Sequence, residues 1–183
     1  SRGLGDVYKR QVFTPRERDW QTDEYIVDND GGLNSSDSQY KEYAENGSWL
    51  TAPHEGFKAH SGHYVDHENP FLAGTARMMK ASKKSDKAFV KYQPHFAKEG
   101  RYAVYVSYQS LPNSVDDAHY TVFHKGQATE FRVNQQMGGG TWVYLGTFDF
   151  DKGDNVYNCV TVSYTHLRAH ETEADLVCRL LLE

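Results

Sequence analysis

The clearest pattern in the chain is the alternation of apolar and polar positions between Gly100 and Phe150. In GRYAVYVSYQ, Tyr102, Val104, Val106 and Tyr108 fall on one side, and Ala103, Tyr105 and Ser107 on the other. A period of two marks a half-buried strand; a helix would break it. Residues 119–124 and 129–133 alternate in the same way. Lys125 and Gly126 lie between the two alternating stretches of sequence, and a glycine in so short a connection signals a hairpin. Gly138, Gly139 and Gly140 turn the chain again. The run TWVYLGTFDF then sets Trp142, Tyr144 and Phe148 on one face and Val143 and Leu145 on the other, as in a strand covered on both sides. The pattern predicts strands over 102–108, 119–124, 129–133 and 142–150, four consecutive antiparallel strands as the scaffold, and a mostly buried Trp142.

The flanking sequence is less regular. Residues 12–24 are charged and aperiodic and read as a linker. Residues 25–27 make a short strand, and 28–48 form a long polar segment rich in Gly, Asn, Asp and Ser. Loops of that length tend to be functional or mobile. Trp49 and Leu50 resume apolar character, 54–69 is again loop-like, and 75–79 and 88–92 are predicted strands. Residues 156–160 begin the last one. With many short strands and 14% aromatic residues, the predicted class is all-β, an antiparallel jelly-roll-like β-sandwich.

Both ends change this picture. Residues 1–11, SRGLGDVYKRQ, translate a transposase-type sequencing-library adapter, whose closing repeat GAT GTG TAT AAG AGA CAG spells Asp6 through Gln11. VSYTHLRAHET translates the complementary arm, and LVCRLLLE the outer primer. Residues 1–11 and 161–183 are therefore expected to be adapter-derived and not native. The native domain is then 25–160 with its last strand missing, and Leu176 to Leu182 are expected to pair with the edge that strand leaves open. The formal net charge of −5 is unchanged by removing the ends, which carry equal numbers of acidic and basic residues. Mild acidity without a basic cluster offers no footprint for nucleic acid, and no apolar run approaches a membrane span. Of the two cysteines, Cys178 falls in the tail. Cys159 alone closes no intrachain disulfide and is expected to be a small buried residue.

Several clusters carry candidate chemistry. His60, His63 and His67 beside Asp66 and Glu68 have ligand types suited to zinc, set against the reading of a histidine-rich exposed loop. Asp28, Asp30 and Gly31 resemble the start of a calcium loop, but Gly32 and Leu33 depart from the EF-hand pattern, and a solvated turn accounts for them. No metal or cofactor is expected beyond a candidate structural calcium. Asp116, Asp117, His119 and Tyr120 supply acid and base types, yet no nucleophile elbow, zinc-protease motif or phosphate loop accompanies them; no catalytic residue is assigned. Sugar rings stack their CH faces on aromatic side chains while their hydroxyls bond to amides and charged groups. Trp49, Tyr40 and Tyr43 lie in or beside the polar segment, and Arg132, Asn134, Gln135 and Gln136 lie together near a strand end. Trp49, Tyr43, Arg132, Asn134, Gln135 and Gln136 are the predicted carbohydrate contacts, with Trp49 either a sugar platform or a core plug.

The series GRYAVYVSY, DDAHYTVFHKG, FRVNQQ and GGGTWVYLGTFDFDKG resembles the golvesin C-terminal-like domain, also called the xanthan-lyase carbohydrate-binding-like domain. The positions that carry the resemblance are Gly100, Tyr102, Val104, Asp117, Ala118, Tyr120, Val122, His124, Asn134, Gln135, Gly140, Trp142, Leu145, Gly146 and Phe148. The family pattern closes with a further strand containing Asp-Ala-Val, where this chain departs. The resemblance implies a non-catalytic accessory, carbohydrate-binding module of a secreted, periplasmic or cell-surface bacterial protein that degrades polysaccharide or cell wall. Its partners would be a polysaccharide or peptidoglycan glycan and a catalytic domain in the same parent chain. The competing readings are a structural spacer without ligand, and a fragment of a polysaccharide lyase contributing directly to catalysis.

Overall fold

The computed structural model describes residues 24–31, 43–58, 67–80, 88–163, 171–174 and 177–182. Within them run β1 (Glu24–Val27), β2 (Tyr43–Asn46), β3 (Leu50–Gly56), β4 (Gly74–Lys80), β5 (Phe89–Tyr92) and β6 (Gly100–Ser107). They are followed by β7 (Ala118–His124), β8 (Gln127–Val133), β9 (Val143–Phe150), β10 (Cys159–Ser163), β11 (Glu171–Ala174) and β12 (Val177–Leu182), and the one helical turn among the described residues is the 3-10 turn Pro70–Leu72. The strands form a four-stranded sheet in the order β1-β12-β6-β9, a five-stranded sheet β2-β5-β10-β7-β8 and a three-stranded sheet β11-β4-β3. Their named pairings are all antiparallel. The protein is an all-β antiparallel sandwich, as its alternation predicts.

The two larger sheets enclose one core. Tyr102, Val104 and Val106 of β6, with Leu180 of β12, meet Val90 and Tyr92 of β5, Tyr120 and Val122 of β7, and Val160 and Val162 of β10. At one end Phe96 stacks on Phe150 (centroids 4.9 Å apart) and contacts Tyr102 (4.6 Å) and Tyr25 (5.2 Å). Two of the tyrosines at this end keep their polar tips bonded, as low-dielectric surroundings favour: Tyr102 donates to the Lys98 carbonyl and the Tyr25 hydroxyl accepts from the Ala97 amide.

The predicted strands over 102–108, 119–124, 129–133 and 142–150 appear as β6 to β9, with ends moved by up to two residues. Between β7 and β8, Lys125 and Gly126 take φ of 41° and 73°, and His124 faces Gln127 across a two-residue turn. Positive φ at both central positions is the turn whose twist matches a hairpin. The four strands are not one meander, however. β6 pairs with β9 in one sheet and β7 with β8 in the other, so the chain crosses the sandwich over residues 108–117 and again after β8. The first crossing is itself packed: Tyr108 and Val115 are buried, and the Tyr108 hydroxyl donates to the Met137 carbonyl.

The face assignment of the last run also changes. The β6–β9 register shifts between Val104 and Tyr105, where Tyr105 faces Tyr144 and Val104 faces Gly146. Leu145 is the extra residue of a bulge, which reverses the alternation. Val143, Leu145, Phe148 and Phe150 pack on the main core, whereas Tyr144 is 55% exposed on the outer face. Trp142 is accordingly half-buried and outside the main core. It packs with Ile26, Phe57 and Phe71 in a small second cluster, beneath the Arg179 guanidinium 5.6 Å from its ring centroid.

Two stretches predicted as loop contain strands, β2 and β3. In β3 only Ala52 and Gly56 are buried, and the pairing is irregular between Thr51 and Glu55, where Pro53 has no N–H to donate. β12 lies between β1 and β6, with Cys178 and Leu180 fully buried. Cys159 is buried as expected, and its thiol is pushed up to about 11 by burial.

Candidate functional site

The three sheets meet at a polar cleft of about 450 Å³ lined by Asn29, Asp30, Tyr43, Glu45, Thr75 and Arg77. The local sequence explains the grouping. Tyr43 and Glu45 are two apart on β2, and Thr75 and Arg77 two apart on β4, so each pair projects from one face of its strand. Asn29 and Asp30 sit in the turn after β1, closed by the Gly31 amide donating to the Asp28 carbonyl.

Two sets of bonds hold the cleft. In one, Arg77 grips Glu45 through both carboxylate oxygens, Nε to Oε1 at 2.6 Å and Nη2 to Oε2 at 3.0 Å, while its Nη1 donates to Thr51 Oγ1 at 2.6 Å. Such planar, charge-assisted forks are geometrically exacting. The Tyr43 hydroxyl donates to Glu45 Oε1 at 2.6 Å, and its ring lies 5.4 Å from that of Tyr92. In the other, the Asp30 carboxylate accepts from the Thr75 amide and hydroxyl, and Asn29 Nδ2 donates to the Thr75 hydroxyl and carbonyl. The first set joins the five-stranded sheet to the three-stranded one, and the second joins β1 to β4.

The electrostatics follow from these contacts. The hydrogen bond from Arg77 holds the Glu45 carboxyl below its usual range against the opposing effect of burial. Burial, then the Glu45 contact, pushes the Tyr43 phenol up, so it stays a donor at neutral pH. The cleft thus presents fixed carboxylates, which have further lone pairs to offer, beside an aromatic ring. That combination can accept hydrogen bonds from hydroxyls.

Of the six predicted contacts, only Tyr43 lies here. Trp49 is 7% exposed and belongs to the core; its Nε1 donates to the Asn46 carbonyl and its own carbonyl accepts from Arg77, so it supports the cleft from below. This burial decides between its two readings in favour of the plug. Gln135 is fully buried, its amide donating to the Tyr120 hydroxyl at 2.8 Å. Gln136 donates to the Ser114 carbonyl, and Asn134 Oδ1 accepts from the Gln136 amide. The Gln136 side chain and the Gln135 backbone amide, which donates to the Val115 carbonyl, tie this segment to the 108–117 crossing. Arg132 is exposed on β8, 3.9 Å from Glu130. Tyr40 lies outside the described residues.

The other clusters resolve as follows. His60, His63 and Asp66 lie outside the described residues; among those described, no group of three or more His, Cys, Asp or Glu side chains is placed to hold a metal. Asp28 and Asp30 shape the turn, with the Asp30 amide donating to Asp28 Oδ1. Tyr120 points into the core, and His119 lies 3.0 Å from Glu130. Sequence reasoning missed Asn29, Glu45, Thr75 and Arg77. The signal available was the pair of i, i+2 polar couples, Tyr43 with Glu45 and Thr75 with Arg77, but nothing local says that the two strands face each other.

Among the described residues no helix is long and apolar enough to cross a membrane. No curated protein matches the chain. Among solved structures it is similar to a xanthan lyase from Paenibacillus, at 20% identity and a TM-score of 0.62, over 87% of this chain and 13% of that one. That likeness shows the fold, and this chain spans only a small part of the lyase's length. An exo-beta-1,3-galactanase from Phanerochaete chrysosporium is more distant, at 11% identity and a TM-score of 0.46 over 86% of this chain and 29% of that one. The family model of the golvesin C-terminal domain matches residues 33–178, most of the chain, and the protein belongs to that family.

Proposed function

We propose that this domain is a non-catalytic accessory module that holds a polysaccharide, or the glycan of peptidoglycan, for a catalytic domain in the same secreted parent protein. The observation that carries this reading is the cleft between β1, β2 and β4. It is open, its carboxylates are fixed in place by Arg77 and Thr75, and an aromatic ring forms one wall. Fixed acceptors beside a ring suit a sugar, whose hydroxyls donate while its CH face stacks. Similarity in fold to a short part of a xanthan lyase is consistent with an accessory role. Fold alone does not assign function.

Affinity electrophoresis against xanthan, other acidic polysaccharides and solubilised peptidoglycan tests the proposal. The domain should be retarded, and Tyr43→Ala should weaken retardation more than Tyr43→Phe, which keeps the ring. The spacer reading has one observation in its favour: the polar and charged groups of the cleft already satisfy one another, Glu45 with Arg77 and Asp30 with Thr75. Absence of retardation by every glycan would establish that reading. Release of reducing ends or unsaturated uronic acid by the isolated domain would establish direct catalysis instead.

The adapter reading of residues 1–11 and 161–183 is likewise a proposal. On it, β12 stands where the domain's own closing strand belongs. A longer DNA read through this reading frame decides it.

A further inference from the structure

We propose that the outer face of β6 and β9 carries a second glycan contact, centred on Tyr144, which takes the apolar face of an uncharged pyranose ring in a polysaccharide chain. This rests on the reading of the domain as a glycan binder but not on the cleft. The two places lie at opposite edges of the four-stranded sheet, since β1 and β9 are its outermost strands. Three inter-strand steps of about 4.8 Å each separate them.

An exposed tyrosine on a strand is ordinary by itself. Three observations set this one apart. First, the bulge at Leu145 turns it outward. With regular pairing Tyr144 would share the face of Phe148, which packs on the core; the register shift between Val104 and Tyr105 puts it on the opposite face. Bulges re-aim side chains at the expense of ladder hydrogen bonds. Second, the ring is fixed. Its hydroxyl is 2.6 Å from Thr147 Oγ1, and the Tyr105 ring supports it with centroids 5.3 Å apart. A side chain already held in place loses little freedom on binding. Third, it is still 55% exposed after those contacts, leaving ring surface free to stack.

The surroundings favour a neutral sugar. Arg101 and Asp149 face each other across the same two strands, one row beyond Ala103 and Thr147. Their charges cancel, while they and Thr147 offer donors and acceptors to hydroxyls. Arg179, opposite Tyr105 in the next strand, is ion-paired with Glu24, so a strongly acidic polymer would meet no net positive charge here.

Binding of the whole chain to hydroxyethyl cellulose, a neutral glucan, and to alginate, an acidic one, is compared by affinity electrophoresis. The variants are Tyr144→Ala, Tyr144→Phe, Tyr144→Trp and, in the cleft, Tyr43→Ala, with a thermal melt for each. Tyr144→Ala should weaken binding to the neutral glucan about tenfold, the equivalent of one aromatic stacking contact, with an unchanged melt. Tyr144→Trp should retain it, and Tyr144→Phe should lose less than Tyr144→Ala. Neutral-glucan binding that survives Tyr144→Ala but is lost in Tyr43→Ala overturns the second contact and leaves the cleft standing. The reverse pattern supports the platform. No binding to hydroxyethyl cellulose overturns the platform whatever alginate does.

Discussion

The bulge in β9 depends on Gly146, and Gly146→Ala is the sharpest perturbation of it. Gly146 has φ of +152°, and a Cβ there would stand 2.9 Å from Phe148 Cζ and 3.0 Å from Cε2. Two costs combine. Holding an L residue in that sparsely populated region costs about 1–3 kcal/mol, and pressing a methyl group into a placed ring costs about 1–3 kcal/mol. Phe148 is only partly buried, so its ring can give, and the expected total is about 2–4 kcal/mol. In urea the midpoint should fall with an unchanged slope, and the melting temperature should drop by roughly 4–15 °C for a chain of this size. The double mutant Gly146→Ala, Phe148→Leu separates the two terms, because a smaller side chain removes the collision but not the strain. Residues in contact should be non-additive, so the pair should cost less than the sum of the singles. A loss below about 1 kcal/mol in Gly146→Ala, or strict additivity in the pair, would refute the bulge geometry and with it the outward placement of Tyr144.

Trp49→Ala should destabilise by about 3–5 kcal/mol, as loss of a large core side chain does; a melt unchanged with glycan binding lost would return Trp49 to the surface. Leu180→Ala should cost about 2–5 kcal/mol by the same reasoning, since Leu180 is fully buried between the sheets; a change under about 1 kcal/mol in urea unfolding would mean that β12 is not seated there in solution. Glu45 reports through pH. Because Arg77 lowers its folded-state pKa, the unfolded chain binds the proton more readily, and the stabilisation is present above the unfolded value of about 4.3 and lost as pH falls through the folded one. The stability gap between wild type and Glu45→Gln, about 1 kcal/mol for a partly exposed pair, should therefore be constant near neutrality and close in acid. A gap that persists at pH 2 would remove the ion pair as its cause.

Much of the scaffold was legible along the chain because its cause is local. Alternation in residues 118–122 reports directly which side chains a strand buries, and Lys125 with Gly126 reports a turn. The same locality explains the failures. β2 and β3 expose most of their side chains, so burial leaves almost no apolar pattern in YAEN or LTAPHEG. The amides of Asn134, Gln135 and Gln136 look like ligand contacts in one dimension, whereas in the fold Gln135 bonds the Tyr120 hydroxyl in the core, Gln136 bonds the Ser114 carbonyl of the crossing, and Asn134 bonds the Gln136 backbone.

The class of the fold therefore followed from side-chain period and turn chemistry, both properties of neighbours in sequence. Which sheet each strand joins did not, because a strand's pattern records that it is covered but not by what. Nor did the side on which Tyr144 emerges. One extra residue opposite β6 reverses every later face, and that residue can be counted only against its partner strand. The cleft is the extreme case: Glu45 and Arg77 are 32 positions apart and Asp30 and Thr75 are 45 apart, and only the folding of three sheets onto one another brings those charges within hydrogen-bonding distance.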